Sequence, residues 1–343
     1  MANIYLQSKI IKSRTNVLSP KIEIKINSGP YTFKIFLEGN AYNHSVNINK
    51  LKFIYQFNGI TKEKYIYLST GHSFAEHKYV TNDGHQINKV KLSDIFLANN
   101  NDNIFYSLDD NFNDFTLITF NKLQLDSTNY FNYNNKELTI KSVCQNFDIK
   151  FLENNILIKN GYTTGSTQVI PVINFETDNY IISKNGKYNY YTFKINGFIV
   201  IILTMYPQGI VVRGMNNELS ENLFNSNLKE FKNHELLNKY NLTGEKYKYY
   251  KDSNCTSLAS LMGDSGSGFY RYIDNENIEF IGIHICSCSM IVLSENVNNN
   301  KIRIGKYTVE EVHKACQLLP INKIQKLISD NLPDNIKLID IVS

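Results

Sequence analysis

Short runs in which apolar and polar residues alternate recur along most of the 343-residue chain. Alternation with a period of two is typical of half-buried β-strands, and residues that favour turns (Asn, Gly and Asp) separate the runs. The runs are KIEIKI, YTFKIFL, VNINKLKFIYQF, EKYIYLS, DFTLITF, NILIKNG, QVIPVINF, NYYTFKI, FIVIILTMY and IEFIGIHI. This series of short strands predicts an all-β protein, built as a sandwich or as a pair of barrels.

Two segments depart from the strand pattern and carry helical spacing instead. Residues 220–240, SENLFNSNLKEFKNHELLNKY, begin with a serine that can start a helix, and they predict a helical insertion. Residues 308–330 begin with Thr308 and Glu311, which form a capping-box pattern. This second segment predicts a C-terminal helix that is broken near Pro320.

Composition and charge exclude several classes of function. The formal net charge is only +4 and the lysines are dispersed among acidic residues, so nucleic-acid binding is not indicated. The longest apolar run is too short to span a bilayer, and the N-terminus shows no signal peptide. We therefore expect no membrane partner, and a cytoplasmic protein or one exported by a non-classical route.

The five cysteines, Cys144, Cys255, Cys286, Cys288 and Cys316, are odd in number and irregularly spaced. The Cys-x-Cys pair has no second pair that would complete a zinc set. We therefore expect free thiols, no metal site and no cofactor.

The loop GDSGSG, residues 263–268, surrounds Ser265 with small residues. A serine hydroxyl becomes a nucleophile when a base accepts its proton and hydrogen-bond donors stabilise the oxyanion. Glycine before the serine lets the backbone turn so that two N–H groups point into one pocket. The loop is therefore either a plain Gly/Ser turn or the site of a nucleophilic serine.

A nucleophilic serine needs a histidine and a carboxylate from elsewhere in the chain. Of the seven histidines, only His72 and His284 lie at the end of a predicted strand beside small residues. Asp114 stands at the head of the apolar strand DFTLITF, where a carboxylate is placed to enter a buried interface. The alternative for His72 and Asp114 is an ordinary turn residue.

Five segments, in chain order, resemble signatures of the chymotrypsin/trypsin-like serine peptidases of the PA clan. LSTGH is similar to Leu-Thr-Ala-Ala-His, NDFTLI to Asn-Asp-Ile-Ala-Leu-Leu, and GDSGSG to Gly-Asp-Ser-Gly-Gly-Pro. KNGYTTGST resembles the Gly-x-Thr-Thr-Gly hairpin of the bacterial members, and FIGIHI resembles the strand that lines the primary specificity pocket. The resemblance covers roughly residues 25–305.

The resemblance implies a serine endopeptidase made of two six-stranded antiparallel β-barrels with the active site between them. It implies that His72 is the general base, that Asp114 orients it, and that Ser265 is the nucleophile. The backbone N–H groups of Gly263 and Ser265 would form the oxyanion hole. The partner would be a protein or peptide substrate.

The implied organisation has four parts. These are an N-terminal extension at 1–20, a first β-barrel at 21–140, a second β-barrel at 141–305 that includes the helical insertion, and a C-terminal helix and tail at 306–343.

The sequence departs from the family pattern at two functional positions. Ser73 stands where secreted members have a cysteine, so the disulfide beside the histidine is absent. No Ile-Val-Gly-Gly start is present, so activation by a freed N-terminus inserted onto Asp264 is not supported.

The pocket strand bears on specificity. Trypsin-like members carry an acid six residues before the nucleophile, and Ala259 at that position argues against cleavage after Lys or Arg. His284 resembles the histidine of glutamyl endopeptidases and of viral proteases that cut after Glu or Gln. Its N–H, with the hydroxyl of Ser260, would hydrogen-bond such a side chain. The alternative for His284 is a core histidine. If the enzyme does cut after Gln, the segment YLQS would allow self-cleavage after Gln7.

Two rival functions use the same residues. One is a catalytically inactive, protease-like module that binds peptides or proteins in the cleft. The other is an esterase, which a strand–turn–helix context around the serine would favour, whereas predicted strands flank this serine. The natural substrate and the oligomeric state stay open.

Overall fold

The computed structural model describes residues 28–37, 40–74, 78–80, 88–98, 103–108, 113–120, 130–133, 136–145, 156–185, 188–215, 221–240, 242 and 255–343. Strands dominate and form two sheets, which confirms the predicted all-β class. In this described part of the chain, no helix combines the length and apolar character needed to cross a bilayer. The run KIEIKI, the extension at 1–20 and the Gln7 hypothesis lie outside the described residues.

The first sheet is built from the N-terminal strands, numbered here in chain order. They are β1 (Ser28–Leu37), β2 (Asn40–Phe57), β3 (Ile60–Ser69), β4 (Lys78–Val80), β5 (Asn88–Lys89), β6 (Asn103–Ser107) and β7 (Phe115–Thr119). Their order is β4-β1-β2-β3-β7-β6-β5. The short helix α1 (Leu92–Leu97) buries Ile95 and Phe96 against this sheet, where the Tyr55 hydroxyl donates to the Phe96 carbonyl.

The second sheet contains the larger number of strands. Its members are β8 (Tyr130–Tyr133), β9 (Lys136–Val143), β10 (Leu157–Gly161), β11 (Gly165–Asn174), β12 (Tyr180–Asn185), β13 (Tyr188–Ile195), β14 (Phe198–Thr204), β15 (Ile210–Gly214), β16 (Cys255–Leu258), β17 (Gly268–Tyr272), β18 (Asn277–Ser294), β19 (Arg303–Ile304) and β20 (Tyr307–Pro320). Pairing runs from β18 through β17, β10, β11, β15 and β20, and β20 pairs again with β18. This circuit gives the sheet its barrel-like character.

The segment 220–240 is helical only in its first half. Helix α2 (Glu221–Lys229) is followed by turns as far as residue 240. Four apolar side chains of the segment are buried in a core cluster with residues of β18 and β20: Phe224, Leu228, Phe231 and Leu237. The segment is therefore part of the core of the second sheet, because its apolar stripe covers the ends of two long strands.

The helix predicted over 308–330 is wrong in its first half. Residues 308–320 belong to strand β20, and the helix α3 spans only Ile321–Asn331. Pairing with β18 along almost the whole of β20 overrides the local capping pattern, and burial on both faces removes the alternation that would have marked a strand. Pro320 precedes the helix instead of breaking it, since a proline costs nothing where no N–H is needed.

The chain ends by returning to the first sheet. After α3, strand β21 (Ile336–Val342) pairs antiparallel with β2. Side chains from both sheets and from α3 share one apolar cluster, which includes Phe53, Leu117, Phe280 and Ile324. The two sheets are thus held together by a common core, and the site described next is made of loops from both.

Candidate active site

His72 and Asp114 are brought together by the pairing of two neighbouring strands. His72 lies in the turn after β3, Asp114 lies just before β7, and Ser69 pairs with Thr116 between these strands. Asp114 is only 1% exposed, and its Oδ1 accepts the His72 backbone N–H at 2.8 Å. Its Oδ2 lies 2.6 Å from His72 Nδ1. The carboxylate therefore holds both the backbone and the ring of the histidine.

Ser265 reaches the same histidine from the other sheet. It lies in the loop 259–267 between β16 and β17, and its Oγ is 2.9 Å from His72 Nε2. With the Nδ1 proton donated to Asp114, Nε2 is left as an acceptor for the serine O–H. The structure thus brings together all three side chains that the sequence singled out, in the order carboxylate, imidazole, hydroxyl.

The electrostatics of this group favour a basic imidazole. Burial alone would lower the pKa of His72, but the charge of Asp114 and its hydrogen bond outweigh burial and raise the pKa above its usual value. The His72 side chain keeps 33% of its surface exposed, whereas Asp114 is buried. The imidazole is therefore partly open to solvent, while the charge that supports it is buried.

Two asparagine side chains of strand β2, in the first sheet, hydrogen-bond to the backbone of the serine loop. The Asn47 amide donates to the carbonyls of Gly263 and Ser265, each at 3.0 Å, and the Asn49 amide donates to the Gly266 carbonyl at 2.8 Å. Gly266 has φ +82, and a Cβ there would clash with the Asn47 carbonyl. Only glycine fits this close approach. The two asparagines were not singled out from the sequence, since they read as ordinary polar positions of a strand.

A buried ion pair anchors the loop on its other side. Lys159 of β10 and Asp264 are both 0% exposed, and Lys159 Nζ lies 2.6 Å from Asp264 Oδ2. The same carboxylate accepts the N–H groups of Thr163 and Thr164 at 2.9 and 3.1 Å. Burial would raise the pKa of Asp264, but Lys159 outweighs it and holds this pKa below its usual value. The charge of Asp264 is therefore balanced by a cation within the second sheet.

Two backbone N–H groups beside the serine lie free to donate. Within the described part of the chain, neither the Gly263 N–H nor the Ser265 N–H donates to a protein acceptor. The intervening Asp264 N–H, in contrast, donates to the Leu261 carbonyl at 3.2 Å. Gly263 is exposed and Ser265 is half-buried, so both N–H groups are accessible to an incoming oxygen beside the Ser265 hydroxyl.

His284 and Ser260 meet close by, in a chain of three side chains. His284 Nε2 lies 2.7 Å from Ser260 Oγ, which lies 2.6 Å from Ser287 Oγ. Burial, together with Lys159, lowers the pKa of His284 to about 3, so its imidazole is neutral at ordinary pH. Among the described residues its Nδ1 has no partner, and its ring stacks on Phe269. His284 and Ser260 are fully buried, whereas Ser287 is half-buried and is the member that solvent reaches.

Ser287 was not predicted, and the local backbone explains why. Residues three apart on a regular strand point to opposite faces, so Ser287 would be expected on the face opposite His284. The pairing of β18 with β20 shifts by one residue between His284 and Cys286. This bulge restores the two side chains to one face.

The residues of the site do not form a metal-binding set. In the described ranges, no group of three or more His, Cys, Asp or Glu is close enough to hold an ion. Four cysteines are free thiols: Cys144, Cys286, Cys288 and Cys316. Burial raises the pKa of the Cys316 thiol to about 12 and raises that of Cys286 further, so neither is a thiolate at neutral pH.

Comparison with known proteins gives no assignment: no protein-family model and no curated protein matches the sequence.

Proposed function

We propose that the protein is a serine endopeptidase of the chymotrypsin-like kind, in which Ser265 is the nucleophile. One observation carries this proposal: Asp114, His72 and Ser265, drawn from two sheets, form a continuous hydrogen-bonded chain with separations of 2.6 and 2.9 Å. A base oriented by a buried carboxylate and bonded to a serine hydroxyl is the arrangement that activates serine for attack on a carbonyl.

In the proposed reaction, Ser265 Oγ attacks the carbonyl carbon of the scissile peptide bond and its proton passes to His72 Nε2. The negative charge moves to the carbonyl oxygen, which receives hydrogen bonds from the Gly263 and Ser265 N–H groups. The tetrahedral intermediate collapses, the C–N bond breaks, and the His72 proton passes to the leaving amine. Water then repeats these steps on the acyl-enzyme and frees Ser265.

Asp114 keeps the His72 ring in the correct tautomer and stabilises the imidazolium that forms during each transfer. The raised pKa of His72 supports this role, because the ring takes a proton more readily beside the buried charge. The proposed mechanism uses residues of this chain, the substrate and one water molecule.

We propose further that the residue before the cut is Glu or Gln. Its side-chain oxygen would meet the half-buried hydroxyl of Ser287, with the buried Ser260 and the neutral His284 aligned behind it. An apolar side chain would displace water from the Ser287 hydroxyl without replacing its hydrogen bonds, and that penalty gives selectivity. The 0% exposed Ala259 gives the pocket no acid for Lys or Arg.

Labelling with a fluorophosphonate probe tests the nucleophile. Wild-type protein should form one adduct on Ser265, and Ser265→Ala should form none while keeping the wild-type melting temperature. A folded wild type that takes no label would refute the proposal and favour an inactive binding module. Hydrolysis of esters without any hydrolysis of peptides would favour the esterase.

A peptide library varied at the residue before the cut tests the pocket. Preference for Glu or Gln should collapse in His284→Ala and weaken in Ser287→Ala. Preference for Lys, Arg or large apolar residues in the wild type would refute the proposed specificity and leave the proposed nucleophile intact.

A further inference from the structure

The peptide plane between Met262 and Gly263 decides whether one of the two N–H donors points at the substrate. A trans peptide holds its C=O and N–H in opposite directions, so fixing the Met262 carbonyl fixes the Gly263 N–H. Gly263 has φ +98, a conformation that is accessible to glycine without penalty. The same freedom lets this peptide plane turn over, and a separate restraint is needed to hold it.

Thr163 supplies a contact at this plane. Its Oγ1 donates to the Met262 carbonyl at 2.7 Å, and a Cβ at position 263 would clash with this hydroxyl. Thr163 belongs to the turn between β10 and β11, and its own N–H donates to Asp264 Oδ1 at 2.9 Å. The Asp264 carboxylate therefore holds the backbone of Thr163, and this places the Thr163 hydroxyl at the Met262 carbonyl.

The second donor is held in a different way. The carbonyl that shares a peptide plane with the Ser265 N–H is that of Asp264, and it accepts the Ser267 N–H at 3.0 Å and the Ser267 hydroxyl. Both contacts lie within the serine loop. The Gly263 donor thus depends on a side chain from another hairpin, whereas the Ser265 donor is fixed by its own turn.

We propose that Thr163 is a positioning residue for the oxyanion hole: its hydroxyl holds the Met262–Gly263 peptide with the Gly263 N–H facing the substrate. This inference rests on the proposed peptidase function. Loss of a whole oxyanion donor costs about 10²–10³-fold in kcat. Loss of the hydroxyl that restrains this donor should cost less, because the Met262–Gly263 peptide can still adopt the orientation in which the Gly263 N–H faces the substrate.

The test compares Thr163→Val, Thr163→Ser and the control Thr167→Val. The Thr167 hydroxyl lies on the strand after the same turn and has no partner among the described residues, so its loss breaks no contact there. Thr163→Val should lower kcat and the rate of fluorophosphonate labelling about 10- to 100-fold, and should weaken binding of a peptide boronate by a similar factor. KM should stay within about twofold of the wild-type value. The melting temperature and the acid limb of the pH profile should be unchanged, since His72 and Asp114 are untouched.

Thr163→Ser should recover most of the wild-type kcat, and Thr167→Val should match the wild type. A fully active Thr163→Val, a loss confined to KM, or equal losses in Thr163→Ser would overturn the inference while leaving the nucleophile assigned. A wild type that takes no fluorophosphonate would instead refute the peptidase function, and this inference with it.

Discussion

The described residues include two groups of serine, histidine and carboxylate, and the two differ in access and in backbone setting. The first is Ser265, His72 and Asp114. In the second group, Ser257 Oγ lies 2.8 Å from His313 Nδ1, and His313 Nε2 lies 2.7 Å from a carboxylate oxygen of Glu311. The separations are as short as in the first group, so distance alone does not distinguish them.

Access and backbone setting separate the two groups. Ser257 and His313 are 0% exposed, and Ser257 sits within β16, where its strand pairs with β20. Ser265 lies instead in a turn, beside N–H groups that are free to donate within the described chain. Ser257 and its histidine are buried, so a substrate carbonyl cannot reach the backbone beside this serine. The second group therefore fastens β16 to β20, just ahead of the serine loop.

The carboxylates also differ in effect. Asp114 is buried and raises the pKa of His72, whereas Glu311 is 29% exposed and shared with Arg213. Burial dominates at His313 and lowers its pKa, with Glu311 opposing the change. The first imidazole is prepared to accept a proton and the second is kept neutral, so a triad is recognised by environment as well as by residue type.

The largest expected effect comes from removing the nucleophile or the base. Ser265→Ala and His72→Ala should each lower kcat about 10⁴-fold or more, with folding retained. The matched changes Ser257→Ala and His313→Gln should leave kcat within a few-fold of wild type, because no substrate reaches them. Steady-state kinetics on a peptide substrate, with melting curves for all four variants, measure this contrast. Activity that survives in Ser265→Ala would reverse the roles given to the two serines.

Replacing each carboxylate by its amide should also lower kcat by very different factors in the two groups. Asp114→Asn can favour the wrong tautomer of His72 and should lower kcat roughly 10³–10⁴-fold. Glu311→Gln should change kcat little and act on stability, by about 1 kcal/mol for a weakened hydrogen bond. Paired measurements of kcat and of urea unfolding separate the two outcomes. A neutral Asp114→Asn would contradict the assigned acid.

These contrasts show what the sequence could and could not predict. Ser265, His72 and Asp114 were found because each stands in a short string whose local chemistry is informative by itself. Lys159 was missed as a partner of Asp264, although a lysine inside the apolar run NILIKNG is a signal, since a buried charge needs a counter-charge. Its identity as that partner depends on pairing across the fold.

The other failures have the same origin in long-range contacts. The strand over 307–320 was predicted as a helix because its burial comes from β18 and other elements distant in sequence. Ser287 was missed because a bulge in β18, set by pairing, changes which face it occupies. Asn47 became important only because β2 of one sheet meets the serine loop of the other. Local patterns carry the chemistry of single residues, and tertiary pairing decides which of them meet.

Acid should lower activity through His72 and stability through His313. His72 works as a base when neutral, and its pKa is raised, so kcat/KM should fall about tenfold per pH unit as pH falls below that raised value. His313 has a lowered pKa in the folded state, so the unfolded chain binds its proton first. Its contribution to stability is therefore present above pH ~6.5 and is lost as pH falls below that value.

His313→Gln separates these two effects of acid. It should leave the pH profile of kcat/KM unchanged. Below pH ~6.5, it should reduce the slope of the unfolding free energy against pH by at most about 1.4 kcal/mol per pH unit, which corresponds to the uptake of one proton. Some slope should remain, because burial also lowers the pKa values of His234 and His284. Kinetics and urea unfolding across pH 5–8 provide the data. A shifted activity profile in His313→Gln would mean that the second group does communicate with catalysis.

The smallest expected effect is that of a reductant or a chelator, which should leave activity within experimental error. Neither group contains a cysteine, and among the described residues no disulfide joins the four cysteines and no metal set exists. The raised pKa of Cys316, about 12, also makes its thiol a poor target for modification. Activity assays with dithiothreitol and with EDTA, each against an untreated control, measure this directly. Loss with the reductant would contradict the expectation of free thiols, and loss with the chelator would contradict the metal-free mechanism.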